Sequence, residues 1–164
     1  MISSPYLEIL PMHSKPITLL LILFLLFPFS GNGFVFGEEP EVKREYWGEG
    51  KLKSERHYKD GKADGFLTIW HKNGRKHFKT HFKDGKKDGL AASWYPDGKK
   101  RYEKHYKNGK GNGHFIFWYE NGKKEWETNY KNGTQDGRFT FWYQNGQKKN
   151  EKYYLDGQRD GRFI

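Results

Sequence analysis

The chain has no cysteine. That excludes a disulfide framework, a lipidated-cysteine anchor, thiol catalysis and thiolate-ligated zinc or iron–sulfur centres. Aliphatic residues are nearly as scarce. From residue 46 onward there are four Leu, three Ile, eight Phe and no Val, 15 of 119 residues. This is well below the roughly 20% under which a charged chain is ordinarily read as disordered. What the chain has instead is charge, aromatic rings and glycine: 30 Lys+Arg against 20 Asp+Glu for a formal +10, 6 Trp, 11 Tyr, 13 Phe and 20 Gly among 164 residues. Composition alone describes a basic, unstructured polymer, but the spacing of the residues contradicts it.

The first 33 residues carry only Glu8 and Lys15, and Ile17–Phe29 is a 13-residue run broken only by Thr18 and Pro28. That is short for a bilayer span and suits the apolar segment of an export signal. We read 1–33 as a hydrophobic signal helix, with Met12 as the true start of translation. Cleavage is expected after the small residues ending at Gly33, or at Gly37. The competing reading is an uncleaved anchor extended through Phe34 and Phe36 to about 20 residues. Residues 34–45 include Glu38, Glu39, Pro40 and Glu41, show no periodicity and read as an acidic linker.

From residue 46 the chain repeats itself. Glycines fall at 50, 74, 98, 122 and 146, at 61, 85, 109, 133 and 157, and at 65, 89, 113, 137 and 161, each series in steps of 24. Tyr46, Trp70, Trp94, Trp118 and Trp142 keep the same step, as do Tyr58, Phe82, Tyr106, Tyr130 and Tyr154. Five units result: 46–69, 70–93, 94–117, 118–141 and 142–164. All but Gly50 of these glycines follow Asn or Asp, the pairing that favours type I′ hairpin turns. The second pair in each unit, four residues after the first, should lengthen a turn or form a bulge. Two short runs of strand formers lie between the turns, as in Lys123–Tyr130 and Arg138–Tyr143. The expected fold is all-β: an elongated single antiparallel sheet of five stacked hairpins, about ten strands and roughly 45–50 Å long. Helix is not expected after residue 45.

The strand period of two puts Phe115 and Phe117 on one face and Ile116 and Trp118 on the other. Repetition should stack like on like, Trp70, Trp94, Trp118 and Trp142 in one ladder, Phe115 with Phe139 and Phe117 with Phe141 in another. The second unit carries Ala91, Ala92 and Ser93 where the fourth has Phe139, Thr140 and Phe141. The N-terminal half should therefore open first.

The pattern W-Y-x-N-G-K-K…Y-K-N-G…D-G-x-F, as at 94–117, 118–141 and 142–164, resembles the MORN repeat in its longer bacterial variant form, over all of 46–164. The resemblance implies stacked hairpins that serve as scaffolds, bind partner proteins or contact anionic lipid. It also implies kinship with bacterial proteins labelled antitoxin-like. Choline- or glucan-binding wall repeats and YD repeats have different spacing.

No chemistry of an enzyme is legible. His57, His81 and His105 recur at one position, but equivalent positions two strands apart are separated by roughly 9–10 Å, too far to share a metal ion. Glu55, Glu103, Glu127 and Glu151 form a similar series among lysines, read as solvated charge. There is no nucleophile elbow or phosphate-cradling loop, and no cofactor is expected.

The positive charge is unevenly spread. The five units carry +1, +5, +4, 0 and +2. The surplus in 70–117 comes from Lys72, Arg75, Lys76, Lys79, Lys83, Lys86, Lys87, Lys99, Lys100, Arg101, Lys104, Lys107 and Lys110. Interleaved with aromatics, such a patch suits anionic lipid or glycan; export disfavours nucleic acid. The competing role is to keep an aromatic sheet soluble. Trp70, Trp94, Trp118, Trp142, Gly74, Gly98, Gly122, Gly146, Gly85, Gly109, Gly133 and Gly157 are expected to be structural. Arg162-Phe163-Ile164 is read as an uncapped strand open to edge pairing with a second copy or a partner. The expected function is a non-enzymatic, exported protein-interaction module in the cell envelope. The alternatives are an anionic lipid or glycan binder working through 70–117, or an antitoxin-like inhibitor of a partner protein.

Overall fold

A computed structural model describes residues 39–161. The expected signal segment 1–33, the cleavage sites read there and the strand end expected at 162–164 lie outside the described residues. Within them one sheet of 12 strands runs in sequence order. Its strands are β1 (Glu41–Tyr46), β2 (Leu52–Lys59), β3 (Lys62–Trp70), β4 (Lys76–Lys83), β5 (Lys86–Trp94), β6 (Lys100–Lys107), β7 (Lys110–Trp118), β8 (Lys124–Lys131), β9 (Thr134–Gln135), β10 (Gly137–Trp142), β11 (Lys148–Leu155) and β12 (Gln158–Asp160). Every pairing is antiparallel. The expected ten strands become 12 for two reasons. One strand is split at Asp136 into β9 and β10, and β1 is added in front.

β1 corrects the reading of 34–45 as linker, because its last residues pair with β2 from Glu41↔Tyr58 to Tyr46↔Leu52. It stands 24 residues ahead of the Gly65–Trp70 stretch of β3 and so is the second half of a hairpin unit whose first half is not recognisable in the sequence. Two of that stretch's apolar positions carry charge, Lys43 for Leu67 and Glu45 for Ile69, and four of the six residues, Glu41, Lys43, Arg44 and Glu45, are charged and exposed. A charged outer strand is a usual way to blunt a sheet edge, and it erases the alternation by which a strand is read. The only helical turn among the described residues is the 3-10 segment Gly48–Gly50, at the one glycine pair that lacks Asx.

The three Asx-Gly pairs do three different jobs, where the sequence suggested mainly one. At Asp60-Gly61, Asp84-Gly85, Asn108-Gly109, Asn132-Gly133 and Asp156-Gly157 both residues have positive φ, as a type I′ turn requires. At Asn73-Gly74 and its equivalents only glycine is left-handed (Gly74 φ 81). There the Gly74 N–H donates to the His71 carbonyl at 2.9 Å, closing a four-residue turn. The pairs at 65, 89 and 113 sit inside a strand and make a bulge, and the pair at 137 divides β9 from β10. The register jumps from Arg56↔Leu67 to Tyr58↔Ala63, and Gly65 lies so close to His57 that a Cβ would come within 2.9 Å of the His57 Cβ.

The faces alternate as expected. Phe78, Tyr102, Tyr106, Phe115, Phe117, Trp126, Tyr130, Phe139 and Tyr154 share one face; Phe66, Leu90, Trp94, Trp118 and Trp142 share the other. The expected ladders of tryptophans and of phenylalanines do not form among the described residues, since most equivalent residues, two strands apart, are beyond ring contact; Phe78 and Tyr102, with centroids 6.5 Å apart, are an exception. Elsewhere, rings from the intervening strands bridge equivalent positions. One series runs Phe78–Tyr102–Phe117–Trp126–Phe139–Tyr154, closest at 3.9 Å between the stacked Phe117 and Trp126 centroids. A second runs Tyr106–Phe115–Tyr130. Two tryptophans of the opposite face meet a lysine: Lys100 Nζ lies 5.8 Å from the Trp118 ring and Lys124 Nζ 5.7 Å from that of Trp142.

The buried residues are few and mostly small, among them Leu67, Ala91, Ala92, Phe115, Thr80, Ser93, Thr128 and Thr140. The Thr80 hydroxyl is buried and has no hydrogen-bond partner, a loss on the order of 1–3 kcal/mol. Thr80→Val should therefore raise stability by about 1 kcal/mol, a shift of a few degrees in a circular-dichroism melt. The two ring series begin at Phe78 and lie mostly beyond β5. Amide hydrogen exchange should accordingly be fastest in β1–β3 and slowest in β6–β10, and uniform protection would contradict this.

Candidate functional site

The thirteen basic residues singled out from the sequence do not form one patch, because their positions within the unit send them to different parts of the sheet. Lys87 and Lys104 lie on the aromatic face. Lys104 Nζ is 4.8, 5.6 and 4.8 Å from the rings of Tyr102, Phe115 and Phe117, and Lys87 Nζ is 5.1 Å from Tyr106. Burial holds the Lys104 ammonium below the ordinary lysine value, and nearby Lys87 adds to the effect. In the neighbouring units the same position is Thr80 and Thr128, both buried. On the opposite face lie Lys76, Lys79 and Lys100. Lys100 is paired with Glu103 at 2.5 Å.

Lys72, Arg75, Lys99 and Arg101 belong to the edge of the sheet that carries the 71–75 type of turn, and most are already engaged. The Arg75 guanidinium donates to the Asp97 carbonyl; Lys99 Nζ donates to the Glu120 carbonyl at 3.0 Å and pairs with Asp97 at 2.9 Å. Backbone and ammonium donors from Lys99 keep the Asp97 carboxyl below its usual range. Lys72 and Arg101 sit over Trp47 and Tyr95, 5.4 and 5.9 Å from the ring centroids. A second series reinforces this edge: the residue after each unit's leading aromatic reaches the carbonyl of the next unit's tryptophan. The contacts are Trp47 Nε1 to Trp70 at 3.3 Å, His71 Nε2 with Trp94 at 3.1 Å, Tyr95 OH to Trp118 at 2.7 Å and Tyr119 OH to Trp142 at 2.8 Å.

The other turn edge gathers the remaining four, Lys83, Lys86, Lys107 and Lys110, and adds two that sequence reasoning missed, Lys59 and Lys62. The register pairs them directly across the type I′ turns: Lys59↔Lys62, Lys83↔Lys86 and Lys107↔Lys110. Like charges facing each other across a ladder repel, and all six are exposed. Asp60 and Asp84 sit at two of the turns. Asp64 and Asp88 are turned inward to accept from the backbone N–H of Asp84 and Asn108, both at 3.1 Å. Turn follows turn rigidly, with Gly85 N–H on the Ala63 carbonyl at 2.8 Å and Gly109 N–H on that of Lys87 at 2.7 Å. The result is a row of lysine pairs at a spacing of roughly 9–10 Å. The pattern K-D-G-K at 59–62 was the available signal for the missing pair, hidden by that unit's net charge of only +1.

His57, His81 and His105 lie apart on one face. Among the described residues no group of His, Asp or Glu could hold a metal ion. No helix there is long and apolar enough to cross a membrane.

Comparison with protein families matches the MORN repeat variant at residues 42–60, 87–108, 112–132 and 135–156. The matched segments amount to 84 of 164 residues. Together with the repeating hairpins, this shows that the chain belongs to the MORN repeat variant family. The family is generally a non-enzymatic repeat module of protein or membrane interaction. No curated protein matches the chain.

One titration is built into the turn edge of the second unit. The His71 and His77 rings lie 4.3 Å apart. Burial, then His71 and Arg101, hold His77 below the ordinary histidine value. A histidine whose folded value is depressed binds its proton more readily when unfolded. Its contribution to stability is complete above its unfolded pKa of about 6.5 and is lost as pH falls below it. Lowering the pH from 7 to 5 should reduce the urea midpoint more in the natural chain than in His77→Gln, and equal losses would remove His77 as the cause.

Proposed function

We propose that the chain is an exported, non-enzymatic interaction module of the cell envelope that docks an acidic protein surface along its lysine-lined turn edge. The observation that carries this is the row Lys59, Lys62, Lys83, Lys86, Lys107 and Lys110. It is exposed, held at regular spacing and set on turns locked to one another. Export rests on the apolar run Ile17–Phe29 and the small residues after it. Membership of an interaction-repeat family agrees with the reading. Anionic lipid or envelope glycan is the second reading, since the same row would complement any polyanion.

Two measurements test it. Cell fractionation with intact-mass determination should find the chain in the envelope, beginning near Phe34 or Glu38. A cytosolic chain with its N-terminus intact would favour the antitoxin-like inhibitor instead. Reversal of the six lysines to Glu should abolish salt-sensitive binding to polyglutamate and crosslinking to envelope proteins, while circular dichroism still reports a folded sheet. Binding only to vesicles rich in phosphatidylglycerol would replace the protein partner with lipid. Unaltered binding by the reversed variant would overturn the docking edge.

A further inference from the structure

On the tryptophan-bearing face three of the five units follow a rule that the second unit reverses; the first has Leu52 in place of the lysine and holds Glu55 with Arg44 at 2.7 Å. In three units a lysine at the start of the unit's first strand neutralises a glutamate three residues on: Lys100–Glu103 at 2.5 Å, Lys124–Glu127 at 2.6 Å and Lys148–Glu151 at 2.8 Å. In the second unit the corresponding residues are Lys76 and Lys79. The acid is replaced by a second cation, and neither lysine has a carboxylate partner among the described residues. Lys79 Nζ instead rests 4.1 Å from the Phe66 ring centroid. The family match also leaves out residues 61–86, the segment that contains both lysines.

A hollow of about 300 Å³ lies beside them, lined by Phe66, Leu90, Ala92, Trp94 and Glu103 together with Lys76 and Lys79. Ala92 stands where the next unit has Ile116, and the missing side-chain volume helps open the hollow. Phe66 is 46% and Leu90 43% exposed, so both offer apolar surface to the hollow. The register places Lys79 opposite Ala92 and Ala92 opposite Glu103. The one carboxylate in the lining is therefore two strands from Lys79, and it is already held by Lys100. His81 and His105 flank the site on the same face.

We infer that this hollow binds a medium-chain fatty carboxylate, its head between Lys76 and Lys79 and its chain over Phe66, Leu90, Ala92 and Trp94. The head would take the place of the glutamate that the other units supply for themselves, and the chain would cover the apolar surface those units lack or fill. The volume is at the low end of small-molecule sites and open to solvent, so it suits a single short chain rather than a diacyl lipid. The site is on a sheet face, distinct from the lysine-lined turn edge.

The repeat supplies its own controls, because each test substitution installs a residue that another unit carries at the same position. Titration of the full chain with decanoate below its aggregation concentration, followed by nuclear magnetic resonance shifts and calorimetry, should show one saturable site with shifts centred on Phe66, Leu90 and Trp94. Lys79→Glu, which restores the internal pair, should weaken binding at least about tenfold, as expected when one charge-assisted contact is lost. Ala92→Ile, which fills the hollow, should do the same, and decanol should bind more weakly than decanoate. The inference is overturned if the natural chain shows no saturable binding, if Lys79→Glu binds as the natural chain does, or if only anionic vesicles and not monomeric decanoate are bound.

Discussion

A sheet of one layer has no second layer against which to bury itself, and contact between rings on neighbouring strands is what takes that layer's place here. In most domains a strand face is covered by helices or by another sheet. Among the described residues of this chain the extensive contacts between strands are those between neighbours in the sheet. Aliphatic side chains rising from a lone sheet would stay largely wet. Broad rings laid against their cross-strand neighbours shield one another, so Phe117 on Trp126 and Phe115 on Tyr130 act as the interior. That is why a chain with 15 large aliphatic and phenylalanine residues in 119 can hold a fold at all.

The same constraint explains the attention given to the two turn edges. A ladder of strands held only by its faces would splay at the ends, and here each turn is bonded to the next. On one edge the glycine N–H of the type I′ turns at 85, 109, 133 and 157 reaches back to the preceding unit. On the other, Tyr95 and Tyr119 and the cations Arg75, Lys99 and Lys123 reach forward to the carbonyls of the following one. The coupling is therefore between nearest neighbours, and stability accrues unit by unit rather than about a centre.

Much of this was legible because the period of 24 is written in glycine, whose special backbone is needed wherever it recurs. The hairpins, the bulge at Gly65 and its equivalents, and the separation of Phe115 from Trp118 all follow from counting. Three things were not. The strand Glu41–Tyr46 hid because charge had replaced two of its apolar residues. The ring series hid because contact runs mostly between unlike positions, Tyr102 with Phe117, whereas a repeat draws the eye to like ones. The lysines hid as sites because a total charge says nothing about direction: Lys99, Lys100 and Lys104 are near neighbours in sequence, yet one faces a turn carbonyl, one a glutamate and one three aromatic rings.

Regular spacing along the turn edge has a consequence for any elongated binder. Identical features recurring every two strands form a scale without numerals, on which a partner of matching period could seat itself in several phases, slipping by one unit with little change in contact. The exceptions to the repeat remove that degeneracy. The His71–His77 stack and the paired lysines at 76 and 79 each occur in one unit of the five. They mark an origin on an otherwise uniform ruler, and a molecule that needed to be gripped in a single position would have to read them.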